Sequence, residues 1–159
     1  MKSDSIEQSV ESSLLIVTFA IGEARFGIDA GRVQEVVQQR AIARVHHAPR
    51  FVAGVMNLRG RVITVIDLGE KLELGPASRS EDTRILIIEW KQEFVGLLVD
   101  NVEEVVSVER ESISKQPGNV HGIQSTLIAG VFQDVRTRLA ALLDVDAIVD
   151  IEEKDLAQR

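Results

Sequence analysis

The sequence contains no cysteine and no tyrosine, one tryptophan and five phenylalanines. Without cysteine, no disulfide framework, thiolate metal site or cysteine nucleophile is available, which fits a reducing cytosol. Residues 1–12 are polar and acidic and lack the order of a signal peptide, and the apolar run 14–17 is far too short to span a bilayer. We therefore expect a cytoplasmic protein that begins with a flexible arm over residues 1–12.

Acidic residues are missing from one stretch of the chain, since none occurs between Glu35 and Asp67 although the net charge is −7. Residues 1–81 hold ten acids against ten Lys or Arg, whereas residues 82–159 hold fifteen against eight. The acid-free stretch carries Arg40, Arg44, Arg50, Arg59, Arg61, His46 and His47. These cations either form one basic surface or scatter around the fold, and the sequence leaves both interpretations open.

The charge pattern suggests two further hypotheses. A basic region in the first half and an acidic second half allow copies of the chain to meet head to tail and to close into rings. The arginines from Arg40 to Arg61 also suggest an alternative function, a tandem-barrel module that binds nucleic acid. The net acidity and the scarcity of aromatic residues for base stacking weigh against this alternative.

Spacing alone leaves a Ser-His-Asp arrangement open, but the sequence shows no asymmetric catalytic constellation. The glycines Gly54 and Gly60 are not followed by the Lys-Ser or Lys-Thr of a phosphate-binding loop, and no Gly-x-Ser-x-Gly elbow occurs. Side chains of His46 and His47 would point to opposite faces of an extended chain, which suits a shared metal ion poorly. Four aspartates follow apolar elements, where capping is commoner than acid/base chemistry: Asp29, Asp67, Asp100 and Asp144. We expect no catalysis, metal site or cofactor.

The chain contains an internal repeat. Val33-Gln34-Glu35-Val36-Val37 matches Val102-Glu103-Glu104-Val105-Val106, and Gly27 meets Gly96 at the same offset of 69. Further matches, at offsets of 76 and 77, join residues 51–56 to 127–132 and 61–68 to 138–145. The series is collinear and its offset drifts little, which indicates a duplicated unit of some 70 residues.

Within each unit the pattern predicts short strands, because β-branched runs are bounded by Gly and Asp. Hairpins are expected over 14–28 and 84–99, further strands at 42–45 and 62–66, and a short helix after Asp29 with Ala30, Val33 and Val37 on one face. So many short strands in so few residues favour small closed barrels. We therefore expect an all-β fold with short helices, with one barrel over residues 13–75, a linker over 75–81, a second barrel over 82–152 and a tail over 153–159.

Asn57-Leu58-Arg59-Gly60 is the segment most suggestive of an interaction. Alternation along a strand places Asn57 and Arg59 on one face immediately before a glycine turn. An arginine there offers five donors to a carboxylate or carbonyl on a partner. The second unit has Phe132-Gln133-Asp134 at this place, so the barrel fold itself does not require the motif.

The sequence resembles the CheW family of chemotaxis coupling proteins. The resemblance covers residues 14–152, and it rests on Val33-Gln34-Glu35-Val36, on Ala48 to Gly60 with its Asn-Leu-Arg-Gly, on Val65-Ile66-Asp67-Leu68 and on Val95 to Asp100. It implies two five-stranded barrels related to SH3 and OB folds, with a groove between them for the tip of a receptor coiled coil. It also implies a second surface that binds the regulatory domain of the kinase CheA.

Carried over residue by residue, the resemblance implies a set of contact positions in each barrel. They are Val33, Glu35, Gly54, Asn57, Arg59 and Gly60 in the first, and Gly96 and Val102 in the second. In the resulting hypothesis a receptor hairpin lays apolar residues near Val33 and Val102 while Arg59 fixes its orientation. His46-His47 and the loop 116–124 depart from the family pattern, which leaves the identity of the partners open. Expected partners are thus a chemoreceptor tip and a CheA-type histidine kinase, at receptor arrays below the inner membrane.

Overall fold

The structure, a computed structural model, describes residues 12–115 and 122–150. Most of the predicted arm (1–12), the tail (153–159) and residues 116–121 of the individual loop lie outside the described residues. Ten strands run along the chain. They are β1 (Ser13–Ile21), β2 (Ala24–Asp29), β3 (Val33–Gln38), β4 (Val52–Leu58), β5 (Arg61–Asp67), β6 (Arg84–Trp90), β7 (Glu93–Val99), β8 (Asn101–Glu109), β9 (Ile128–Gln133) and β10 (Leu139–Leu143).

Four short helices lie in connections between strands, and a fifth follows β10. They are the α-helices Leu68–Lys71 and Val145–Val149 and the 3-10 helices Ala30–Arg32, Arg110–Ser112 and Ser125–Leu127. Within the described residues, no helix combines the length and apolar character needed to cross a membrane. The predicted all-β class with short helices is confirmed.

The strands form two five-stranded sheets. Sheet A has the order β8-β1-β2-β10-β9 and sheet B the order β3-β6-β7-β5-β4. In each sheet one parallel pair, β2–β10 or β5–β7, accompanies antiparallel neighbours. The strand order leaves edges in both sheets, so they are not the closed barrels that the sequence suggested, although the isolated bridges Ala43–Val55 and Ser114–Val131 each cover an edge strand.

The division into units differs from the prediction of barrels over 13–75 and 82–152. Sheet B is contiguous and spans residues 33–99, whereas sheet A combines residues 13–29 with 101–143. The predicted linker 75–81 therefore lies within sheet B's part of the chain. The reason is non-local pairing, since β1 aligns with β8 over most of its length, from Ser13 with Glu109 to Ala20 with Asn101.

Two local predictions were wrong. The helix expected after Asp29 is only the 3-10 helix Ala30–Arg32, and β3 follows, because residues 33–38 pair with β6. The strand expected over 42–45 is reduced to a single bridge, in which Ala43 and Val55 exchange two backbone hydrogen bonds of 2.8 Å.

Three apolar clusters fill the molecule. The largest draws buried residues from both sheets, among them Phe19 and Phe26 of sheet A and Leu86 and Ile88 of sheet B. Sheet B encloses a second cluster that includes Ile85 and Ile87, and sheet A encloses a third around Ile16, Val106 and Phe132. Alternate residues of β6 thus serve two cores, which explains its continuous apolar sequence.

Candidate interaction site

The β4–β5 hairpin carries the Asn-Leu-Arg-Gly segment at its tip. Leu58 pairs with Arg61, so Arg59 and Gly60 are the two turn residues, with φ of 50° and 84°. Two positive φ values are what a type I′ turn requires. The side-chain oxygen of Asn57 accepts a hydrogen bond of 2.9 Å from the Gly60 N–H. Asn57 and Gly60 therefore fix the turn, and Arg59 stands at its apex.

Arg59 is paired with Glu35 on β3. Both guanidinium nitrogens donate to the carboxylate, with Nη1 3.3 Å from Oε2 and Nη2 in contact with Oε1. The hydrogen bonds from Arg59 hold the pKa of Glu35 below its ordinary value, and the more distant charge of Arg40 acts in the same direction. The Arg59 side chain keeps 69% of its surface exposed. The pair orients the guanidinium without hiding it from a partner.

Gly54 and Gly96 are buried. At Gly54, where φ is 147°, a Cβ would collide with the carbonyl oxygen of Ala43, so glycine allows the bridge between Ala43 and Val55. At Gly96 a Cβ would lie 2.7 Å from Cγ2 of Ile85. Gly96 was predicted to lie in the second barrel together with Val102. It pairs instead with Val65 and Ile87, so it lies in sheet B with the positions predicted for the first barrel. Both glycines have a packing role that spacing alone did not reveal.

Val33 and Val102 lie at equivalent places in the two sheets. Each is half-buried near the start of its strand, β3 or β8, and packs against the shared core. Further along these strands Val36 and Val105 are 43% and 59% exposed, opposite the buried residues Leu86 and Val17 of that core. The valines thus lie on the face that each sheet turns toward the other.

We call Val33, Val36, Val102, Val105 and Leu15 the apolar seam. Leu15 is 56% exposed and lies on the same face of β1 as Val17, the residue opposite Val105. Val36, Val105 and Leu15 were not among the predicted contact positions. Val36 and Val105 could have been predicted from the match between residues 33–37 and 102–106, because the match aligns these two apolar residues.

Apart from the two buried glycines, Gly54 and Gly96, the predicted site residues fall into two groups. Glu35, Asn57, Arg59 and Gly60 come together at the β4–β5 turn, whereas Val33 and Val102 belong to the apolar seam. β3 carries members of both groups, since Val33 and Glu35 are two residues apart.

The four aspartates have structural partners, as predicted. Asp29 accepts a hydrogen bond from Gly31 N–H at 2.9 Å, and Asp144 accepts one from Ala147 N–H at 3.1 Å. Asp67 accepts from the backbone N–H groups of Glu70 and Ala77, and Asp100 from those of Gly22 and Ser78. Over residues 12–115 and 122–150, no three His, Asp or Glu side chains form a metal-binding group.

Comparison with known proteins identifies relatives of the whole module. The family model described as "CheW-like domain" matches residues 15–153. The chemotaxis protein CheW of Klebsiella aerogenes is 30% identical over 138 residues, which cover 87% of this chain and 82% of that protein. CheW of Bacillus subtilis is 29% identical over 144 residues, covering 89% and 90%. Protein PilI of Pseudomonas aeruginosa is 29% identical over 128 residues, covering 79% and 71%.

A solved structure supports the same relationship. The crystal structure of the scaffolding protein TtCheW from Thermoanaerobacter tengcongensis aligns with a TM-score of 0.80 and 31% sequence identity, covering 87% of this chain and 89% of that one. The resemblance seen in the sequence is confirmed, and so is the two-sheet fold. This chain belongs to the CheW family.

Proposed function

We propose that this protein is a non-catalytic adaptor that joins a chemoreceptor to a CheA-type histidine kinase in chemotaxis or a related chemosensory pathway. The observation that carries the proposal is the presence of two chemically different surfaces, the apolar seam and the charged β4–β5 turn, on one small module of the CheW family. An adaptor needs two such surfaces because it holds both partners at once.

The apolar seam suits the receptor. A helical hairpin presents apolar side chains at a regular spacing, and such a helix is commonly bound in an apolar groove. Val36, Val105 and Leu15 provide exposed apolar surface beside the half-buried Val33 and Val102. Isolated surface valines need no explanation, but a set on the facing sides of two sheets is typical of a binding surface.

The β4–β5 turn suits the kinase. Arg59 is fixed by Glu35 and by the turn, and an oriented guanidinium binds a carboxylate or carbonyl at a smaller entropic cost than a free one. We assign this turn to the regulatory domain of the kinase because the apolar seam already serves the receptor.

Weak contacts are sufficient for such an adaptor. Micromolar binding corresponds to about −8 kcal/mol, and neighbouring contacts in an array strengthen one another through effective concentration. We place the protein in the cytoplasm at receptor arrays. Self-association into rings through basic and acidic surfaces belongs to the same proposal, and sedimentation across a salt series tests it, because assembly insensitive to salt would contradict a charge-driven contact.

The decisive experiment is a calorimetric titration with the purified regulatory domain of a CheA-type kinase from the same genome, and in parallel with a receptor-tip fragment. We expect saturable binding of both, loss of kinase binding in Arg59→Glu and loss of receptor binding in Val102→Asp. Loss of receptor binding alone in Arg59→Glu would move the turn to the receptor side. No binding of either partner by the wild type would overturn the proposal. Neither the family match nor the structure supports the nucleic-acid alternative.

A further inference from the structure

Three arginines surround the β4–β5 turn. Arg40, Arg59 and Arg61 are all exposed, and the chain holds no acid from residue 36 to residue 66. Arg59 engages the carboxylate of Glu35, on which Arg40 also acts electrostatically. Three arginines thus share one engaged carboxylate at this turn. We call Arg40, Arg59 and Arg61 the cationic face.

The equivalent region of sheet A has no such excess. Arg138, which matches Arg61 in the internal repeat, lies 2.8 Å from Asp134 and 3.4 Å from Glu103. Arg25 Nε lies 2.8 Å from Glu103 Oε1, a distance that makes an ion pair although the angle does not make a hydrogen bond. Two arginines and two acids therefore balance each other within sheet A.

Arg40 and Arg61 have no such balance. Neither forms an ion pair with any residue in the described ranges, and the guanidinium of Arg61 lies 4.6 Å from the ring centroid of Phe94. That stacking fixes the position of the charge and leaves its carboxylate-binding edge available. A cationic face without internal neutralisation, on a molecule of net charge −7, is suited to bind a few acidic side chains of a folded partner. The surrounding negative charge disfavours a long polyanion such as nucleic acid.

We propose that Arg40 and Arg61 act with Arg59 as a carboxylate-binding face, which recognises a pair of acidic side chains on the regulatory domain of the kinase. This inference rests on the proposed function and extends it, because it names the chemistry of the partner's surface and two residues outside the Asn-Leu-Arg-Gly segment. Arg40 and Arg61, which form no ion pair in the described part of the chain, would each take one of these two carboxylates. Arg59, already held by Glu35, sets the orientation, and Arg40 and Arg61 select partners by charge.

The test is a binding titration of the full chain with the purified kinase regulatory domain at 50 and 400 mM NaCl. The variants are Arg40→Glu, Arg61→Glu, the double variant and Arg40→Lys. Arg136→Glu serves as the matched control, because Arg136 is an exposed arginine in the β9–β10 turn of sheet A and its reversal changes the net charge equally. Circular dichroism and the melting temperature verify that each variant is folded.

We expect each reversal in the cationic face to weaken binding about 3–10-fold at 50 mM NaCl, and the double variant about 10–50-fold. Arg40→Lys should stay within about threefold because the charge is kept while the planar fork is lost. Arg136→Glu should stay within about twofold. The differences should shrink at 400 mM NaCl, where the screening length is only about 5 Å.

Other outcomes separate the two proposals. If Arg40→Glu and Arg61→Glu bind like the wild type while Arg59→Glu does not, the cationic face is overturned and the adaptor function stands. If Arg136→Glu weakens binding as much as Arg40→Glu does, net charge explains the effect and the face is again overturned. If the wild type binds neither the kinase domain nor a receptor-tip fragment, both proposals fail.

Discussion

Sheet A and sheet B have the same strand arrangement but opposite chain continuity. Strands β3, β6, β7, β5 and β4 of sheet B correspond in order to β8, β1, β2, β10 and β9 of sheet A. Sheet B is one uninterrupted stretch, whereas sheet A joins the first two strands to the last three. Each copy of the repeat has therefore exchanged its first hairpin with the other copy. The difference teaches that an internal repeat identifies equivalent strands but not their neighbours.

The sheets differ in charge as well. Sheet A neutralises Arg25 and Arg138 with Glu103 and Asp134, whereas Arg40 and Arg61 near the β4–β5 turn of sheet B form no ion pair within the described residues. Two sheets of the same architecture thus differ in whether their arginines are neutralised by internal ion pairs.

Leu97→Ala and Ile28→Ala are matched deletions in sheet B and sheet A, since the two residues are related by the offset of 69. Both side chains are fully buried in the core that the sheets share. We expect each to lower the free energy of unfolding by about 2–5 kcal/mol, and in a single transition because neither sheet keeps its core alone. Urea unfolding followed by Trp90 fluorescence and by circular dichroism tests this. Separate transitions from the two probes would show that the sheets are independent.

Gly54→Ala and Gly130→Ala compare equivalent glycines on β4 and β9. A Cβ at Gly130 would meet Cγ2 of Ile113 and the carbonyl oxygen of Ser114, whereas at Gly54 it meets backbone and also requires a positive φ. We expect a cost of about 1–3 kcal/mol for each from overpacking, and a larger one at Gly54 because of its backbone conformation. Urea midpoints measure both, and an equal loss would mean that the φ of Gly54 is of no consequence.

Glu103→Gln and Glu35→Gln compare the acid that pairs with Arg25 and Arg138 in sheet A with the acid that pairs with Arg59 in sheet B. Glu103 is 20% exposed between Arg25 and Arg138, so its loss should cost about 1–2 kcal/mol, as for other hydrogen-bonded charges. Glu35 pairs with a largely exposed arginine, and solvent screening should leave stability unchanged in Glu35→Gln while kinase binding weakens. Thermal melts together with the kinase titration check both statements. A stability loss in Glu35→Gln matching that in Glu103→Gln would remove the contrast between the sheets.

Asp134→Asn tests how the β9–β10 turn responds to acid. Burial opposes a lowered pKa for Asp134, but hydrogen bonds from the backbone N–H groups of Arg138 and Arg136 and from the Arg138 guanidinium outweigh it, so the pKa lies below the ordinary value of an aspartate. A depressed folded pKa contributes stability that is fully present above the unfolded pKa and is lost as the pH falls through the folded pKa. The difference between wild type and variant should be largest near neutral pH and should vanish once the pH falls below the lowered pKa of the folded state. Urea midpoints across this range measure it, and a constant difference would exclude ionisation as the cause.

The hairpins of the fold could be predicted from the sequence because their signals are local. Gly22 and Gly60 mark two tight turns, and Lys91 and Gln92 form a third with φ of 50° and 67°. The capping roles of Asp29, Asp67 and Asp144 were equally accessible, since a carboxylate after a strand meets free N–H groups nearby.

Pairing between distant strands could not be predicted in the same way. Residues 30–37 fit a helical period through Ala30, Val33 and Val37, but Val33, Glu35 and Val37 also fit a strand, and pairing with β6 decides. The apolar run 62–66 fits a strand buried on both faces, yet Val62 is 71% exposed and Thr64 is half-buried, because β5 is covered on both faces only from Val65 onwards. At the site, the Asn-Leu-Arg-Gly motif was enough to predict Arg59. The apolar seam could not be predicted, because its residues come together only through the arrangement of the two sheets.

The contiguity of sheet B has a consequence for synthesis on the ribosome. Residues 30–100 separate β2 from β8, and at a translation rate of about 5–20 residues per second this gap lasts roughly 4–14 s. During that time all of sheet B emerges and can pair, while the hairpin of β1 and β2 waits with an apolar edge that only β8 and β10 will cover. The nascent hairpin is thus the part of the protein most in need of chaperone protection, and its partner strands arrive last.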